Sequence, residues 1–186
     1  MIKKMRKILG IDPSLSSTGF ALLEYEEDKL EDLKPLGDKN LLNLNSKYTP
    51  NLIDYGTIET NSKDNLCYRN NYQRKIMAKL IEKYEPDLIV CEDQYGHLNT
   101  STLKKLSHIR GNFMSLADCY QIPFYLYYPT TIKKIVTGKG NSGKQKMIEK
   151  INEYYDISLN KKQDNEADGI SLALSFIVDN SKAKKI

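Results

Sequence analysis

The chain has 186 residues, of which 40% are hydrophobic, enough for one domain with a substantial core. Its net charge of +4 is compatible with a nucleic-acid partner without requiring one. Three widely spaced cysteines, none in a CxxC pair, argue against a disulfide framework or a zinc site and favour a reducing, cytoplasmic environment. The first apolar run is short and ends at Asp12, so the sequence predicts neither a secretory signal nor a membrane span.

The first predicted element is a buried strand that ends in a carboxylate. Residues 8–11 are mostly apolar, and Asp12 follows them directly. Residues 13–19 are rich in turn formers and an extended pattern resumes at Phe20, which predicts a β-hairpin. An isolated buried carboxylate is costly unless it is paired or binds a metal. From this segment alone, a metal ligand and an aspartate that caps its own turn explain Asp12 equally well.

The next part of the chain predicts two more strands and a helix. Residues 27–50 are polar and show no sustained periodicity, which predicts an exposed insertion between two strands. A third strand is predicted over 52–60 and an amphipathic helix over 68–84. An apolar strand over 87–92 follows, and it again ends in a carboxylate, Glu92.

The second half of the chain is mainly helical. Helices are predicted over 101–120, 132–136, 144–155 and from Asp164 onward, and a fifth strand is predicted over 124–128. There are no internal repeats. This order of elements predicts a single α/β domain over residues 1–186, built on a mixed five-stranded sheet flanked by helices.

Acidic residues stand at the ends of three of these elements. Asp12 follows the first strand, Glu92 ends the fourth, and the segment 164–168 opens the last helix. In a mixed sheet the first and fourth strands can lie side by side with that helix against them. Carboxylates that converge there would repel each other unless divalent cations neutralised them, and Mg²⁺ prefers oxygen ligands. Two ions about 3.5–4 Å apart would suit in-line phosphoryl transfer.

With these residues identified, the chain resembles the RuvC family of Holliday junction resolvases, which belongs to the ribonuclease H-like superfamily. The matching segments are Leu9-Gly-Ile-Asp-Pro-Ser with Thr18-Gly19, the strand end at Glu92, Arg110-Gly111, Val136-Thr-Gly-Lys-Gly with Lys144, and Ala167-Asp168. The resemblance implies a ribonuclease H-like fold and a homodimer that binds a four-way DNA junction and nicks two strands symmetrically. It also implies Mg²⁺ as cofactor, with Mn²⁺ able to substitute, and it leaves a cellular or a phage origin open.

The resemblance implies roles for individual residues. Asp12, Glu92 and Asp168 would be metal ligands, Tyr95 would stack as a wedge at the junction centre, and Lys133 and Lys144 would lie at the scissile phosphate. Lys144 would thereby take part in catalysis. Lys139 and Lys146 belong to a basic stretch beside this site, and we expect them to contact the DNA backbone. Lysines on a solvated helix face are the alternative explanation of that stretch.

The fourth metal ligand follows less directly, because the family commonly carries an Asp three residues before the last ligand. That position is Asn165 here. Asp164 lies four residues before Asp168 and would share its helix face, whereas Glu166 would point elsewhere. We therefore predict Asp164 as a catalytic metal ligand. The alternative is that Asp164 only caps the helix.

Three functions compete at this stage. The leading prediction is a metal-dependent, structure-selective endonuclease that resolves Holliday junctions or other branched DNA by paired nicks. A non-catalytic junction-binding protein of the same fold is the alternative. An actin-like or sugar-kinase ATPase also begins with Asp and a Ser/Thr/Gly turn, but it needs a second such domain. Residues 138–144 lack the P-loop spacing and its Gly-Lys-Ser/Thr ending, so no nucleotide cofactor is expected.

Overall fold

The computed structural model describes residues 4–33, 48–93 and 100–186, together with Leu42 and Ser46. The strands are β1 (Met5–Asp12), β2 (Ser17–Glu26), β3 (Asn51–Glu59), β4 (Leu88–Glu92), β5 (Phe124–Tyr127) and β6 (Lys184–Lys185). The α-helices are α1 (Leu66–Tyr84), α2 (Thr100–Cys119), α3 (Pro129–Thr137), α4 (Lys144–Tyr155) and α5 (Asp164–Val178). Short 3₁₀-helices span Glu27–Leu33 and Asn180–Lys182. Within these ranges, no helix is both long enough and apolar enough to cross a membrane.

The strands form one mixed sheet in the order β3-β2-β1-β4-β5-β6. β1 lies near its middle, antiparallel to β2 and parallel to β4. This confirms the predicted mixed sheet with the first and fourth strands side by side. The sixth strand was not predicted, because two lysines that pair with β5 leave no alternating apolar pattern.

Helices cover both faces of the sheet. Successive side chains of a strand point to opposite faces, so each strand contributes to both cores. On β1, Ile8 packs into the core beneath α3, α4 and α5, whereas Leu9 packs into the core beneath α1 and α2. On β2, Ala21 and Leu22 divide in the same way. α5 lies against the sheet with its body buried from Ile170 to Val178, as its apolar sequence predicts.

The predicted helices are observed with small changes at their ends. Those predicted over 68–84, 101–120 and 144–155 lie within two residues of the observed bounds. The short helix predicted over 132–136 begins earlier, at Pro129. Proline suits the first turn of a helix, because the N–H that it lacks would have no partner there.

The segment predicted as an exposed insertion over 27–50 is packed at several of the positions that the structure describes, although Asp28 and Thr49 are exposed. Leu42 is buried, and its backbone N–H donates to the carbonyl of Ile135 over 2.8 Å. The Tyr48 hydroxyl accepts a hydrogen bond from the backbone N–H of Glu26 over 2.6 Å. Burial at irregular spacing carries no periodic signal, so the sequence did not reveal it. Residues 34–41, 43–45 and 47 lie outside the described part of the chain.

Glycines let α5 rest directly on the backbone of β1 and β2. A Cβ on Gly10 would overlap the carbonyl of Gly169 and would lie 2.9 Å from the backbone nitrogen of Ala173. A Cβ on Gly19 would likewise overlap the carbonyl of Asn165. This close contact sets the distance between the sheet and the first turns of α5.

Gly10→Ala should therefore destabilise the fold, because the atoms that meet the added methyl belong to the backbone and cannot move aside. We expect the free energy of unfolding to fall by about 1–3 kcal/mol, measured by urea denaturation. Gly111→Ala in α2 is the matched control, since a Cβ there meets nothing within 4 Å. Alanine favours a helix over glycine by about 1 kcal/mol, so the control should be neutral or stabilising. Equal losses in both variants would contradict the close contact of α5 with β1.

Candidate active site

A cavity of about 240 Å³ opens at the edge of the sheet where β1 and β4 end. Its lining comprises Asp12, Glu92, Pro129, Ile132, Lys133, Lys144, Met147 and Asp168. These residues come from β1, β4, α3, α4 and α5. Five elements that are distant in sequence thus meet at one small opening, which contains three carboxylates and two lysines.

The parallel pairing of β1 with β4 brings the first two carboxylates together. Ile11 is in register with Cys91, and Asp12 and Glu92 are the next residues on each strand. Parallel strands end at the same edge of a sheet, so both side chains emerge there. Asp168 joins them from α5, one residue before the Gly169 that packs against β2. The structure therefore brings together the three residues predicted as the principal ligands.

Burial and mutual repulsion favour protonation of these carboxyl groups in the metal-free chain. Burial is the largest cause for each, because a charged carboxylate loses hydration inside the cavity. It raises the pKa of Asp12 well above its usual range, with repulsion from Glu92 and Asp168 adding to the effect. Burial and repulsion from Asp168 raise the pKa of Glu92 to about 7. Burial raises the pKa of Asp168 to about 6, although Lys144 and Lys133 oppose the change.

One of the two lysines of the cavity, Lys144, has an acidic partner. Lys144 forms an ion pair with the carboxylate of Asp164, and this hydrogen bond raises the pKa of Lys144. Asp164 itself does not line the cavity and is connected to it through Lys144. The capping alternative for Asp164 is not observed, because Gln163 is the N-cap of α5 and Asp164 is the first helical residue.

The two neighbours of Asp164 in the first turn of α5 lie outside the cavity lining. Asn165 contributes the backbone carbonyl that packs against Gly19. Glu166 has a buried carboxylate oxygen, Oε2, for which the described residues supply no hydrogen-bond partner. Within the described part of the chain, Glu166 therefore has a buried acidic oxygen that could accept a cation.

The other residues predicted to contact DNA do not line the cavity or lie outside the described residues. Lys139 and Lys146 are exposed and lie outside the cavity lining, and the Lys146 ammonium is 3.5 Å from Glu149. Tyr95 lies outside the described residues, so its stacking role stays a prediction.

Sequence reasoning assigned no role to one ion pair that lies beside the site. Arg110 of α2 donates to the carboxylate of Asp93 over 2.5 Å, and Asp93 directly follows Glu92. The Arg110-Gly111 motif was the available signal, but its partner could not be read from the sequence. Ile132 and Met147 lay within predicted helices, and sequence reasoning gave neither a role in the site.

The donor set fits hard divalent cations. The carboxylates offer oxygen ligands, and their mutual repulsion is the unfavourable energy that a cation would relieve. Among residues 4–33, 48–93 and 100–186, no three His, Cys, Asp or Glu side chains lie close enough together to hold one metal ion. The three carboxylates therefore share the cavity without forming a ready-made three-ligand site.

Comparison with known proteins finds relatives of this chain both by sequence and by fold. The profile of the family "Crossover junction endodeoxyribonuclease RuvC" matches residues 39–176. The RuvC crossover junction endodeoxyribonucleases of Rickettsia bellii (strain OSU 85-389) and Rickettsia prowazekii (strain Madrid E) are each 32% identical, covering 92% of this chain and 96% of the relative. The solved structure of T. thermophilus RuvC in complex with Holliday junction substrate matches with a TM-score of 0.78 at 17% identity. It covers 97% of this chain and 99% of its own, and at that identity it shows a shared fold.

The raised carboxyl pKa values predict a pH-dependent cost to stability in the absence of metal. Glu92 has its usual pKa near 4.5 when unfolded and about 7 when folded, so the folded chain binds this proton more tightly. Stability from this group is complete below about pH 4.5 and falls as the pH rises through about 7. The free energy of unfolding of Glu92→Gln, measured by thermal unfolding in EDTA, should exceed that of the wild type by about 1–2 kcal/mol at pH 7.5. The gain should shrink at pH 5, and an equal gain at both pH values would contradict this origin.

Proposed function

The chain belongs to the RuvC family, and from this membership we infer that it is a crossover junction endodeoxyribonuclease, a metal-dependent enzyme that resolves Holliday junctions or other branched DNA. The observation that carries this function is the cavity where Asp12, Glu92 and Asp168 meet beside two lysines. Carboxylates with opposing lysines are what hydrolysis of a phosphodiester by metal ions requires. The meeting of Asp168 with the other two carboxylates argues against a non-catalytic junction binder.

We assign the carboxylates of Asp12, Glu92 and Asp168 to metal binding, with Mg²⁺ as the physiological ion and Mn²⁺ as a substitute. These carboxylates would hold the ions, whose chemistry would be Lewis-acid polarisation of the phosphate and activation of a water molecule. The support is chemical: the three groups supply only oxygen ligands, and their repulsion favours a bound cation. To act as ligands they must lose their protons, so metal binding and deprotonation are coupled.

Lys133 and Lys144 are assigned to the scissile phosphate. Both lysines line the same cavity as the carboxylates. In this role they would supply positive charge where negative charge grows on the phosphate during the reaction. Asp164 is assigned as the fourth ligand. This role would take Asp164 away from Lys144, so that the lysine becomes available to DNA as the carboxylate turns to the ions.

The rest of the DNA surface and the assembly follow from the same assignment. Exposed Lys139 and Lys146 would contact backbone phosphates, and Tyr95 would stack at the junction centre. We propose a homodimer, since paired nicks need two sites, and a single nuclease domain over residues 1–186. The three free thiols, Cys67, Cys91 and Cys119, are consistent with action in the cytoplasm.

The first test separates cutting from binding. Asp12→Asn and Glu92→Gln should reduce cutting of a synthetic four-way junction by roughly a hundredfold or more, because each removes an anionic ligand. Binding should persist, since affinity comes mainly from lysine–phosphate contacts. Single-turnover cleavage in Mg²⁺ and gel-shift titration in EDTA measure the two quantities. Glu153→Gln, an exposed glutamate on α4, is the control and should cut normally. Substantial Mg²⁺-dependent cutting by either site variant would overturn the assignment.

A second test identifies the fourth carboxylate. Asp164→Asn, Asn165→Ala and Glu166→Gln are compared by titrating Mg²⁺ and Mn²⁺ in the cleavage assay. We expect the metal concentration for half-maximal cutting to rise at least tenfold in Asp164→Asn alone, because it shares a helix face with Asp168.

Two results would contradict Asp164. A loss confined to Glu166→Gln would assign the ligand to the buried oxygen that has no described partner. Normal metal dependence in all three variants would leave Asp168 as the sole necessary carboxylate of α5.

A further inference from the structure

The turn that follows Asp12 is held by α1 through buried hydrogen bonds. This turn, residues 13–16, joins the last residue of β1 to the first residue of β2. α1 passes beside it with four buried residues at successive four-residue spacings, Arg69, Gln73, Met77 and Ile81. The first two are polar and the last two are apolar. The buried face of α1 therefore becomes polar only where the helix meets the turn.

Gln73 is completely buried and uses both ends of its amide on the turn. Its Nε2 donates to the carbonyls of Ser14 and Leu15, over 2.8 and 2.9 Å. Its Oε1 accepts a hydrogen bond from the hydroxyl of Thr18 over 2.5 Å. Thr18 is also completely buried, and its oxygen accepts the backbone N–H of Ser14. One amide side chain thus connects the start of the turn to β2.

Arg69 adds a second set of bonds to the same turn. Its Nη2 donates to the carbonyl of Leu15 over 3.1 Å and to the hydroxyl of Ser16 over 3.0 Å. Its Nε donates to Thr60, whose hydroxyl in turn donates to the Leu15 carbonyl over 2.5 Å. Three side chains, those of Gln73, Arg69 and Thr60, therefore converge on one carbonyl oxygen.

Polar side chains are a poor choice for packing a helix against a sheet. A buried amide or guanidinium loses hydration, and an apolar residue of similar volume often gives equal or greater stability. What a fully bonded polar network provides is one defined conformation, because each bond depends on direction and distance. The network at Gln73 therefore fixes the geometry of the turn more than it stabilises the fold.

We propose that Gln73 is a positioning residue for catalysis, which holds the turn so that Asp12 keeps its carboxylate directed into the cavity. The inference rests on the proposed nuclease function. Asp12 is the last residue of β1 and pairs with Gly19 at the final rung of the β1–β2 ladder. Beyond it, the backbone is restrained by the turn, and the turn is restrained by α1. A displacement of about 1 Å in a reacting group can slow a reaction a hundredfold.

The test replaces the amide by an apolar side chain of similar length. Gln73→Met should slow single-turnover cutting at saturating Mg²⁺ at least tenfold, while junction affinity measured in EDTA stays within twofold. Amide hydrogen exchange at residues 14–18 should accelerate, because the carbonyls and hydroxyl of the turn lose their partner. Met77→Ala, one helical turn further along the same buried face, is the matched control. It should lower stability and leave the cutting rate per folded molecule unchanged.

Thr18→Val provides a second variant, should Gln73→Met fold poorly. It removes the hydroxyl that donates a hydrogen bond to Gln73, and it should also slow cutting. The cutting rate of the double variant, Gln73→Met with Thr18→Val, should fall by less than the product of the two single effects, because both substitutions break one network.

The outcomes distinguish this inference from the proposed function. A wild-type chain that does not cut junctions contradicts the function, and hydrogen exchange then still decides whether Gln73 holds the turn. If the wild type cuts and Gln73→Met cuts at the same rate per folded molecule, the inference is wrong. It is also wrong if Met77→Ala slows cutting as much as Gln73→Met does, or if exchange at residues 14–18 is unchanged.

Discussion

Repulsion among buried carboxylates is the constraint on which the rest of this structure depends. Asp12, Glu92 and Asp168 share one cavity, and both burial and proximity favour their neutral forms. Left to themselves, such groups would move apart or keep their protons. The fold opposes separation through the ladder between β1 and β4 and the glycine contacts beneath α5. The two lysines reduce the repulsion without removing it, so the site remains receptive to cations.

The same arrangement divides the molecule into a rigid support and adjustable charges. β1, β4 and α5 hold the carboxylates through backbone packing, in which small changes meet main-chain atoms. Lys144 is exposed and Asp164 half-buried, and their ion pair joins two side chains rather than two backbones. Carboxylates held by the backbone, with cationic side chains beside them, suit a reaction in which charge develops on the substrate.

Much of this could be predicted from the sequence, because the informative residues stand at the ends of regular elements. Asp12 and Glu92 each end an apolar strand, so the strand pattern locates both. The pattern also places the acidic segment 164–168 at the start of an apolar helix, and the resemblance to the RuvC family singles out Asp168 within it. The pairing of Lys144 with Asp164 and the contacts of Gln73 could not be predicted, since a side chain carries no local mark of a distant partner. Leu42 was missed for a related reason: it is buried in a segment whose apolar residues follow no period.

The parallel pairing of β1 with β4 has a further consequence for how the chain acquires its structure. The hairpin of β1 with β2 is local in sequence and can form early, with Asp12 still far from any other carboxylate of the cavity. The register of Ile8 with Leu88 joins segments that are far apart along the chain, and such contacts form slowly. The electrostatic cost of the site therefore arises only when this long loop closes. We expect the site to assemble as this loop closes, with protons on the carboxyl groups lowering the electrostatic cost of that step.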